Sequence, residues 1–371
     1  MNENQASREF DVTVVMCTYN RCAMLPDALE SVLAQDTGDV RYELIVIDNN
    51  SPDKTREVVE SFIKRGHQHL RYVFEGKQGL SHARNAGIAL AQSPFIAFTD
   101  DDVRVAKDWV VQIKRAFDEH PEVDYVGGKV LPMWGGVVPA WLTDVHWSPL
   151  AIVEYGDKSI YFNATFPRCL VGANVAFRRT VFDEIGLFTP DFQRVKEHIG
   201  STEDHEHQLR IWRAGKQGLY VPGIVVSAEV QAERLTKAYH RRWHTGHGHY
   251  CAMMRIEEIS MPDGTLGDER PGTAKLFGVA GYTLRDLIGN GAKWVAALLS
   301  RQESIALRHE NRVRYLTSYI RQRYKETVTQ QRHAPVAEVV AFTKAVLHKK
   351  VQGSRLMPTS SDSLQTSRKL Q

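Results

Sequence analysis

Short apolar runs alternate with amphipathic segments through the first 130 residues. The runs are rich in β-branched and aromatic residues, as in buried strands, and most are followed by a polar turn and apolar residues at helical spacing. The predicted strands are 11–17, 42–47, 70–74, 95–98 and 123–130, and the predicted helices are 24–35, one that ends near 65, 80–91 and 109–120. This alternation predicts an α/β fold with a parallel sheet and helices on both faces.

Polar residues follow three of the predicted strands. They are Cys17-Thr18-Tyr19, Asp48-Asn49 and Asp100-Asp101-Asp102. Ligands of open α/β sheets bind outside the carboxyl ends of the strands. We therefore expect these three segments to converge on one rim of the sheet.

The run of aspartates at 100–102 is electrostatically costly, because three neighbouring carboxylates repel one another. A hard divalent cation would remove that cost and could hold the phosphates of a nucleotide. The alternative is a solvated turn in which an aspartate caps the following helix. The stretch alone leaves both interpretations open.

The later part of the chain changes character. Residues 131–168 are rich in Trp, Pro and Gly and are typical of an ordered loop that covers something. A strand at 171–177, a helix at 201–214 and a strand at 219–226 follow. The predicted organisation is a flexible N-terminus at 1–10, an α/β domain at 11–232, a basic helical extension at 233–350 and a disordered tail at 351–371.

Composition places the chain among soluble globular proteins, with 43% hydrophobic and 25% charged residues in 371. Residues 301–371 carry 14 Lys and Arg against 5 Asp and Glu, although the whole chain carries 47 against 44. This basic region predicts an anionic neighbour. The four cysteines form no Cys-x-x-Cys pair, and no secretory or membrane-spanning segment is recognised. We expect a cytoplasmic protein, either free or at the inner face of the membrane.

Six motifs in order resemble glycosyltransferase family 2. They are TYNR at 18–21, IDNNS at 47–51, GLSHARNAG at 79–87, FTDDDV at 98–103, VGANVAFRR at 171–179 and STEDHEHQLR at 201–210. The resemblance covers roughly residues 10–250. It implies a GT-A type fold, in which a mostly parallel sheet joins a Rossmann-like nucleotide-binding half to an acceptor half, here with a helical C-terminal extension. It also implies an inverting hexosyltransferase-type enzyme that uses a nucleotide-diphosphate sugar, with a UDP-sugar favoured.

The resemblance assigns the donor side of the site. The metal, Mg²⁺ or Mn²⁺, would be held by Asp102 and Asp100, and the role of Asp101 as a partner or a turn residue is left open. The expected nucleotide-binding residues are Thr18, Tyr19, Arg21, Asp48, Arg84, Asn85, Asp100 and Asp101. Among them, Asp48 would recognise the base, and Arg84 and Asn85 would point at the diphosphate.

The resemblance also assigns the acceptor side. Asp204 would be the general base and Glu203 would position the acceptor, although Ser201-x-x-Asp204 is equally a helix capping pattern. The small residues Gly172 and Ala173, with Asn174, would line the acceptor side.

One family feature is missing from the sequence. Many members place a metal- or phosphate-binding histidine after the last core strand, where this chain has none before His240. Glu229 is an alternative ligand, or a closing loop with His240, Arg241, Arg242 and His244 would reach the pyrophosphate. The histidines in this region have spacings that could suggest zinc, but no matching set of cysteines accompanies them, so we expect no zinc site.

The predicted function is sugar transfer to a glycan or lipid-linked acceptor in cell-surface polysaccharide synthesis. The alternatives are a nucleotidyltransferase that makes nucleotide sugars, or a catalytically inactive, membrane-recruited binding protein of the same fold. An apolar stripe at 276–288 with basic neighbours predicts either packing on the catalytic domain or contact with an anionic membrane surface through residues 275–350. No nucleic-acid partner is expected.

Overall fold

The computed structural model describes residues 9–193, 199–260, 266–268, 275–276 and 278–330. Most of the predicted flexible N-terminus, the end of the predicted basic helical segment and the predicted disordered tail lie outside these residues.

Thirteen strands lie in the described part of the chain. Nine belong to one sheet and the others form two small hairpins. In order they are β1 Val12–Thr18, β2 Tyr42–Asp48, β3 Leu70–Phe74, β4 Phe95–Asp100, β5 Val103–Val105, β6 Tyr125–Trp134, β7 Ile160–Phe162, β8 Val175–Arg178, β9 Gly218–Val230, β10 Ile256–Ser260, β11 Leu266–Asp268, β12 Lys275–Leu276 and β13 Val279–Ala280.

The described helices flank the sheet and continue beyond it. They are α1 Leu25–Leu33, α2 Thr55–Lys64, α3 Leu80–Leu90, α4 Trp109–Glu119, α5 Arg179–Glu184, α6 Glu203–Arg213, α7 Lys237–Met254, α8 Gly281–Leu299 and α9 Glu303–Gln330.

The large sheet has the order β3-β2-β1-β4-β8-β6-β9-β5, with β7 paired to β9. Its first four strands are parallel, and β6 and β9 are parallel to each other, whereas β5, β7 and β8 run antiparallel to their neighbours. Every residue of β1 and β2 is buried, which explains their mostly apolar character. The predicted α/β class, the mostly parallel sheet flanked by helices and the helical C-terminal extension are confirmed.

Two details differ from the sequence predictions. Residues 172–174 form a 3₁₀ turn ahead of β8, because the Asn174 amide donates to the Val171 carbonyl. The three-residue strands β5 and β7 were not predicted, since segments this short carry little periodic signal.

The C-terminal extension shares the hydrophobic core of the α/β domain. Tyr315, Leu316 and Tyr319 of α9 are buried in the same cluster as the central strands. Helices α7 and α9 cross in contact at Gly248, where a Cβ would lie 2.2 Å from the Tyr315 carbonyl oxygen. Leu287 of the predicted apolar stripe packs against this cluster, so packing on the α/β domain accounts for part of the stripe. No helix among the described residues combines the length and apolar content needed to cross a bilayer.

Candidate active site

The carboxyl ends of the central parallel strands meet at one rim. In the register of the sheet, Thr18 of β1 is paired with Asp48 of β2, and Cys17 of β1 is paired with Asp100 of β4. A cleft of about 1280 Å³ opens above this rim. Thr18, the last residue of β1, lines the cleft, as do Tyr19 and Arg21, which follow the strand.

The three aspartates form a buried carboxylate cluster in this cleft. Arg21 Nη1 donates to Asp101 Oδ1 at 2.9 Å and to Asp102 Oδ2 at 2.8 Å, and Gln231 Nε2 donates to the same Asp102 oxygen at 3.2 Å. Burial, followed by repulsion from Asp102, raises the pKa of Asp100 to about 7. Burial likewise raises the pKa of Asp101. One guanidinium therefore leaves the negative charge of the cluster incompletely balanced.

Asp48 lies at the rim but its carboxylate is occupied locally. Its Oδ1 accepts from the Ser51 amide at 2.9 Å and its Oδ2 accepts from the Tyr72 hydroxyl at 2.7 Å. Its neighbour Asn49 lines the cleft instead. The Asn49 side chain donates to the Lys77 carbonyl and accepts from the Gly79 amide, each at 2.7 Å. Asn49 thus fixes the loop that leads into α3, a role the sequence did not indicate.

A second buried charge cluster joins α3 to the start of α6. Arg84 is only 3% exposed. Its Nη1 donates to Asp204 Oδ1 at 2.7 Å and lies 3.5 Å from Glu203 Oε1. Two carboxylates thus pair with the guanidinium that was expected to face the diphosphate.

Asp204 is held from both sides within the cleft. Its Oδ2 accepts from the Gly172 amide at 2.9 Å, while Oδ1 faces Arg84. The residue preceding α6 is Thr202, and its side chain makes no capping hydrogen bond. The capping interpretation of Ser201-x-x-Asp204 is therefore not what the structure shows, and the carboxylate is presented to the cleft.

Glu203 lies beside Asp204 under strong desolvation. Burial, followed by repulsion from Asp204, raises the pKa of the Glu203 carboxyl. Its buried Oε2 has no hydrogen-bond partner among the described residues. Glu203 as a residue lines the cleft next to Asp204.

The segment predicted for the acceptor side divides into two parts. Gly172 and Ala173 line the cleft. Asn174 does not, since its Oδ1 accepts from Trp109 Nε1 at 2.8 Å and its Nδ2 donates to the carbonyls of Lys129 and Ile224. This amide joins β6, β9 and α4 within the core.

Asn85 is also placed away from the cleft lining. Its Nδ2 donates to the Phe188 carbonyl at 2.9 Å and its Oδ1 accepts from the Phe188 amide at 3.0 Å. With both polar groups used, the side chain ties α3 to the loop after α5. This differs from the predicted contact with the diphosphate.

Glu229 faces away from the aspartates. Neighbouring residues of a strand point to opposite faces of the sheet, and the adjacent Ala228 lines the cleft. The Glu229 carboxylate lies 3.7 Å from Arg104. The strand pleat therefore gives Glu229 no direct route to a cation held by Asp102.

The histidines after β9 lie on a helix, α7, where a closing loop was expected. His240 is fully buried, with its ring 5.1 Å from that of Trp141, and Arg241 is paired with Glu310. His244 and His247 line the cleft. Burial lowers the pKa of each to about 3, so both are neutral at physiological pH.

Residues 13–186 match the family model described as glycosyl transferase family 2. The match contains the aspartate cluster, Arg84 and Gly172, and it ends before α6 begins. This segment of the chain belongs to glycosyl transferase family 2.

Two curated proteins illustrate what this chain is similar to. One is a glucosyl-dolichyl phosphate glucuronosyltransferase of Haloferax volcanii, 28% identical over 213 residues that cover 56% of this chain and 66% of the relative. Another is the minor teichoic acid biosynthesis protein GgaB of Bacillus subtilis, 32% identical over 33% of this chain and 14% of the relative. The family-2 chain thus spans less than two thirds of either relative.

Solved structures also resemble the family-2 chain. The mannosyltransferase PcManGT from Pyrobaculum calidifontis, in complex with GDP-Man and Mn²⁺, superimposes with a TM-score of 0.49 at 20% identity and covers 67% of this chain and 65% of its own. S. aureus TarS 1-349, in complex with UDP, gives a TM-score of 0.48 at 17% identity and covers 86% and 92%.

The aspartate cluster of this family-2 chain fits a divalent cation. Neither oxygen of Asp100 nor Oδ1 of Asp102 accepts a hydrogen bond from a described residue. Within the same residues, no group of three or more His, Cys, Asp or Glu side chains is arranged around a metal position. Mg²⁺ is commonly held by one or two carboxylates and completed by substrate phosphates and water, which matches this donor set.

The far wall of the cleft was not predicted. Side chains of α8 and α9 line it, although these helices were assigned from the sequence to packing or membrane contact. They are Asp286, Asn290, Lys293, Arg308, His309, Arg312 and Tyr315. The sequence did not indicate this role, because the polar face of a basic amphipathic helix is usually exposed to solvent.

Proposed function

We propose that the chain is an inverting, metal-dependent glycosyltransferase that moves a sugar from a nucleotide-diphosphate donor to a glycan or lipid-linked acceptor in cell-surface polysaccharide synthesis. The donor is a UDP-sugar. One observation carries the proposal: the Asp100–Asp102 cluster and the Arg84-held Asp204 carboxylate face the same cleft.

On the donor side, Thr18, Tyr19 and Arg21 would cradle the nucleotide, and Asp100 and Asp102 would hold the cation. When bound, the cation supplies Lewis-acid stabilisation of the leaving diphosphate. Arg21 holds Asp102 through Oδ2, which would leave Oδ1 to bind the cation. The carboxylates are positioned before the donor arrives, which lowers the cost of ordering the site.

On the acceptor side, Asp204 would take the proton of the attacking hydroxyl. The Arg84 guanidinium and the Gly172 amide fix the position of its carboxylate, as a base within hydrogen-bond reach requires. Glu203, which lines the cleft beside Asp204, would orient the acceptor. A single base activating a single displacement gives inversion at the anomeric carbon.

The two alternatives are weaker. A nucleotidyltransferase has no need of a base held by Arg84 at the start of α6. An inactive binding protein of the same fold does not require the buried Arg84–Asp204–Glu203 cluster, whose desolvation is costly to folding.

The test is a donor-hydrolysis and transfer screen with UDP-, GDP- and dTDP-sugars in the presence of Mn²⁺ or Mg²⁺. Asp102→Ala should lose metal-dependent donor binding, measured by calorimetry. Asp204→Asn should keep donor binding and lose turnover by about 10²–10⁴-fold, the range for a general base. Glu229→Gln is the matched control, since it removes a carboxylate near the rim that faces away from the cleft. Unchanged turnover in Asp204→Asn would sink the base assignment, and donor binding without turnover in the wild type would favour the inactive binding protein.

We further propose a cytoplasmic location at the inner face of the membrane, with contact through the C-terminal helices. Ile288, Val295 and Leu299 of α8 are 73%, 54% and 82% exposed, and their spacing places them on one helical face. Arg285 flanks this face, as basic residues do in helices that lie on anionic bilayers. A triple serine variant at these apolar positions should co-sediment less with phosphatidylglycerol vesicles than the wild type; equal sedimentation would remove the proposal.

A further inference from the structure

The cleft has an uneven distribution of charge. Its donor side carries the aspartate cluster with Arg21, and its centre carries Arg84 between Asp204 and Glu203. The wall formed by α8 and α9 is basic. We call Lys293, Arg308 and Arg312 the basic wall.

Carboxylates balance only part of the basic wall. Arg312 is paired with Asp286 at 2.7 Å. Lys293 and Arg308 have no carboxylate within ion-pair distance in the part of the chain that the structure describes, and both side chains are exposed at the cleft. Arg234 lines the same cleft, and its hydrogen bonds to described residues go to neutral groups, namely the Tyr239 hydroxyl, the Gln231 amide oxygen and the Pro149 carbonyl. The α8–α9 side of the cleft thus carries a surplus of positive charge.

The basic wall belongs to the acceptor side. The ring of His205, the residue after Asp204, lies 5.5 Å from that of His247, and His247 lies 5.8 Å from Tyr315 of α9. These ring contacts connect the start of α6 to the helix that carries Arg308 and Arg312. An acceptor whose hydroxyl reaches Asp204 would therefore lie along this wall.

We propose that the acceptor carries phosphate groups, which the basic wall binds while a hydroxyl reaches Asp204. This inference rests on the proposed function and names the class of its acceptor. Several cations converging from two helices suit phosphate groups, because each non-bridging oxygen can take a separate charge-assisted hydrogen bond. Phosphate of this kind is found on polyol phosphate polymers and on phosphate-linked lipids.

The test compares two double variants with equal loss of charge. Lys293→Gln with Arg308→Gln removes the unpaired cations of the basic wall. Arg321→Gln with Lys325→Gln removes two exposed cations from α9, at positions outside the cleft lining. All four side chains are exposed, so both variants should fold, which thermal melting would verify.

Binding is measured with a short soluble glycerol phosphate oligomer by calorimetry and with phosphatidylglycerol vesicles by co-sedimentation. The basic-wall variant should bind about 10–100-fold more weakly than the control variant, as expected for lost hydrogen bonds to a charged group. A loss confined to the oligomer assigns the phosphate to a polymer, and a loss confined to the vesicles assigns it to a lipid.

Equal binding by the two variants in both assays would overturn the inference. Calorimetry of the wild type with UDP and Mn²⁺ separates this outcome from failure of the proposed function. Absent UDP binding counts against the donor assignment, whereas intact UDP binding with equal phosphate binding counts against the basic wall alone.

Discussion

Gly172→Ala probes the centre of the proposed site with a single methyl group. A Cβ at this position would lie 1.9 Å from Arg84 Nη2, 2.7 Å from Arg84 Cζ and 3.0 Å from Asp204 Oδ1. Separations this short cannot persist, so the guanidinium must move. Arg84 is buried and held by two carboxylates, and movement weakens its pairing with Asp204.

The magnitude follows from two limits. Overpacking a tight site costs about 1–3 kcal/mol when neighbours can adjust. Full separation of a buried ion pair costs about 3–5 kcal/mol. Because the displaced Nη2 is the end of a long side chain, we expect the smaller of these two costs, about 2 kcal/mol. At roughly 2–4 °C per kcal/mol, the melting temperature should fall by several degrees.

The loss of turnover should be larger than the loss of stability alone would produce. A shift of the base by about 1 Å costs about 10²-fold in rate. Donor binding should remain, because the aspartate cluster lies at the end of β4, whereas Gly172 lies in the turn before β8. The assay combines thermal melting, UDP calorimetry and sugar transfer, with Gly291→Ala as the control, since a Cβ there meets nothing within 4 Å. Melting temperature and turnover equal to those of the control would refute the proposed Arg84–Asp204 geometry.

Two further substitutions test groups outside the reacting centre. Asn174→Ala should lower the free energy of unfolding by about 3 kcal/mol in denaturant titrations, because it leaves the Trp109 indole and two carbonyls unpaired. Normal stability together with a raised acceptor KM would instead support the acceptor role predicted for Asn174. His240→Phe should reduce acid sensitivity. Burial lowers the pKa of His240 to about 4, so the unfolded chain takes up a proton near pH 6.5 before the folded chain does, and stability is lost as pH falls from 6.5 to 4. At pH 5 this costs about 2 kcal/mol at most, and identical pH profiles of melting temperature for variant and wild type would contradict it.

The local pattern was sufficient for much of the fold. The strands at 42–47 and 70–74 and the helices at 80–91 and 109–120 were predicted within a residue or two, because apolar runs and helical spacing are written in consecutive residues. The convergence of Thr18, Asp48 and Asp100 was also predictable, since parallel strands share a carboxyl edge. The hydrogen-bond partners of individual side chains were not predictable. Asn85 and Asn174 bond to backbone groups that are distant in sequence.

The sequence by itself determined the α/β class, the rim of the sheet and the concentration of carboxylates at Asp100–Asp102, because each depends on residues adjacent in the chain. Only the tertiary structure decided which carboxylate Arg84 pairs with, which face Glu229 takes and which wall α8 and α9 supply. Those outcomes depend on contacts between residues separated by 100 or more positions, such as Arg84 and Asp204. The packing of the whole chain determines these contacts, and the local periodicity of the sequence does not predict them.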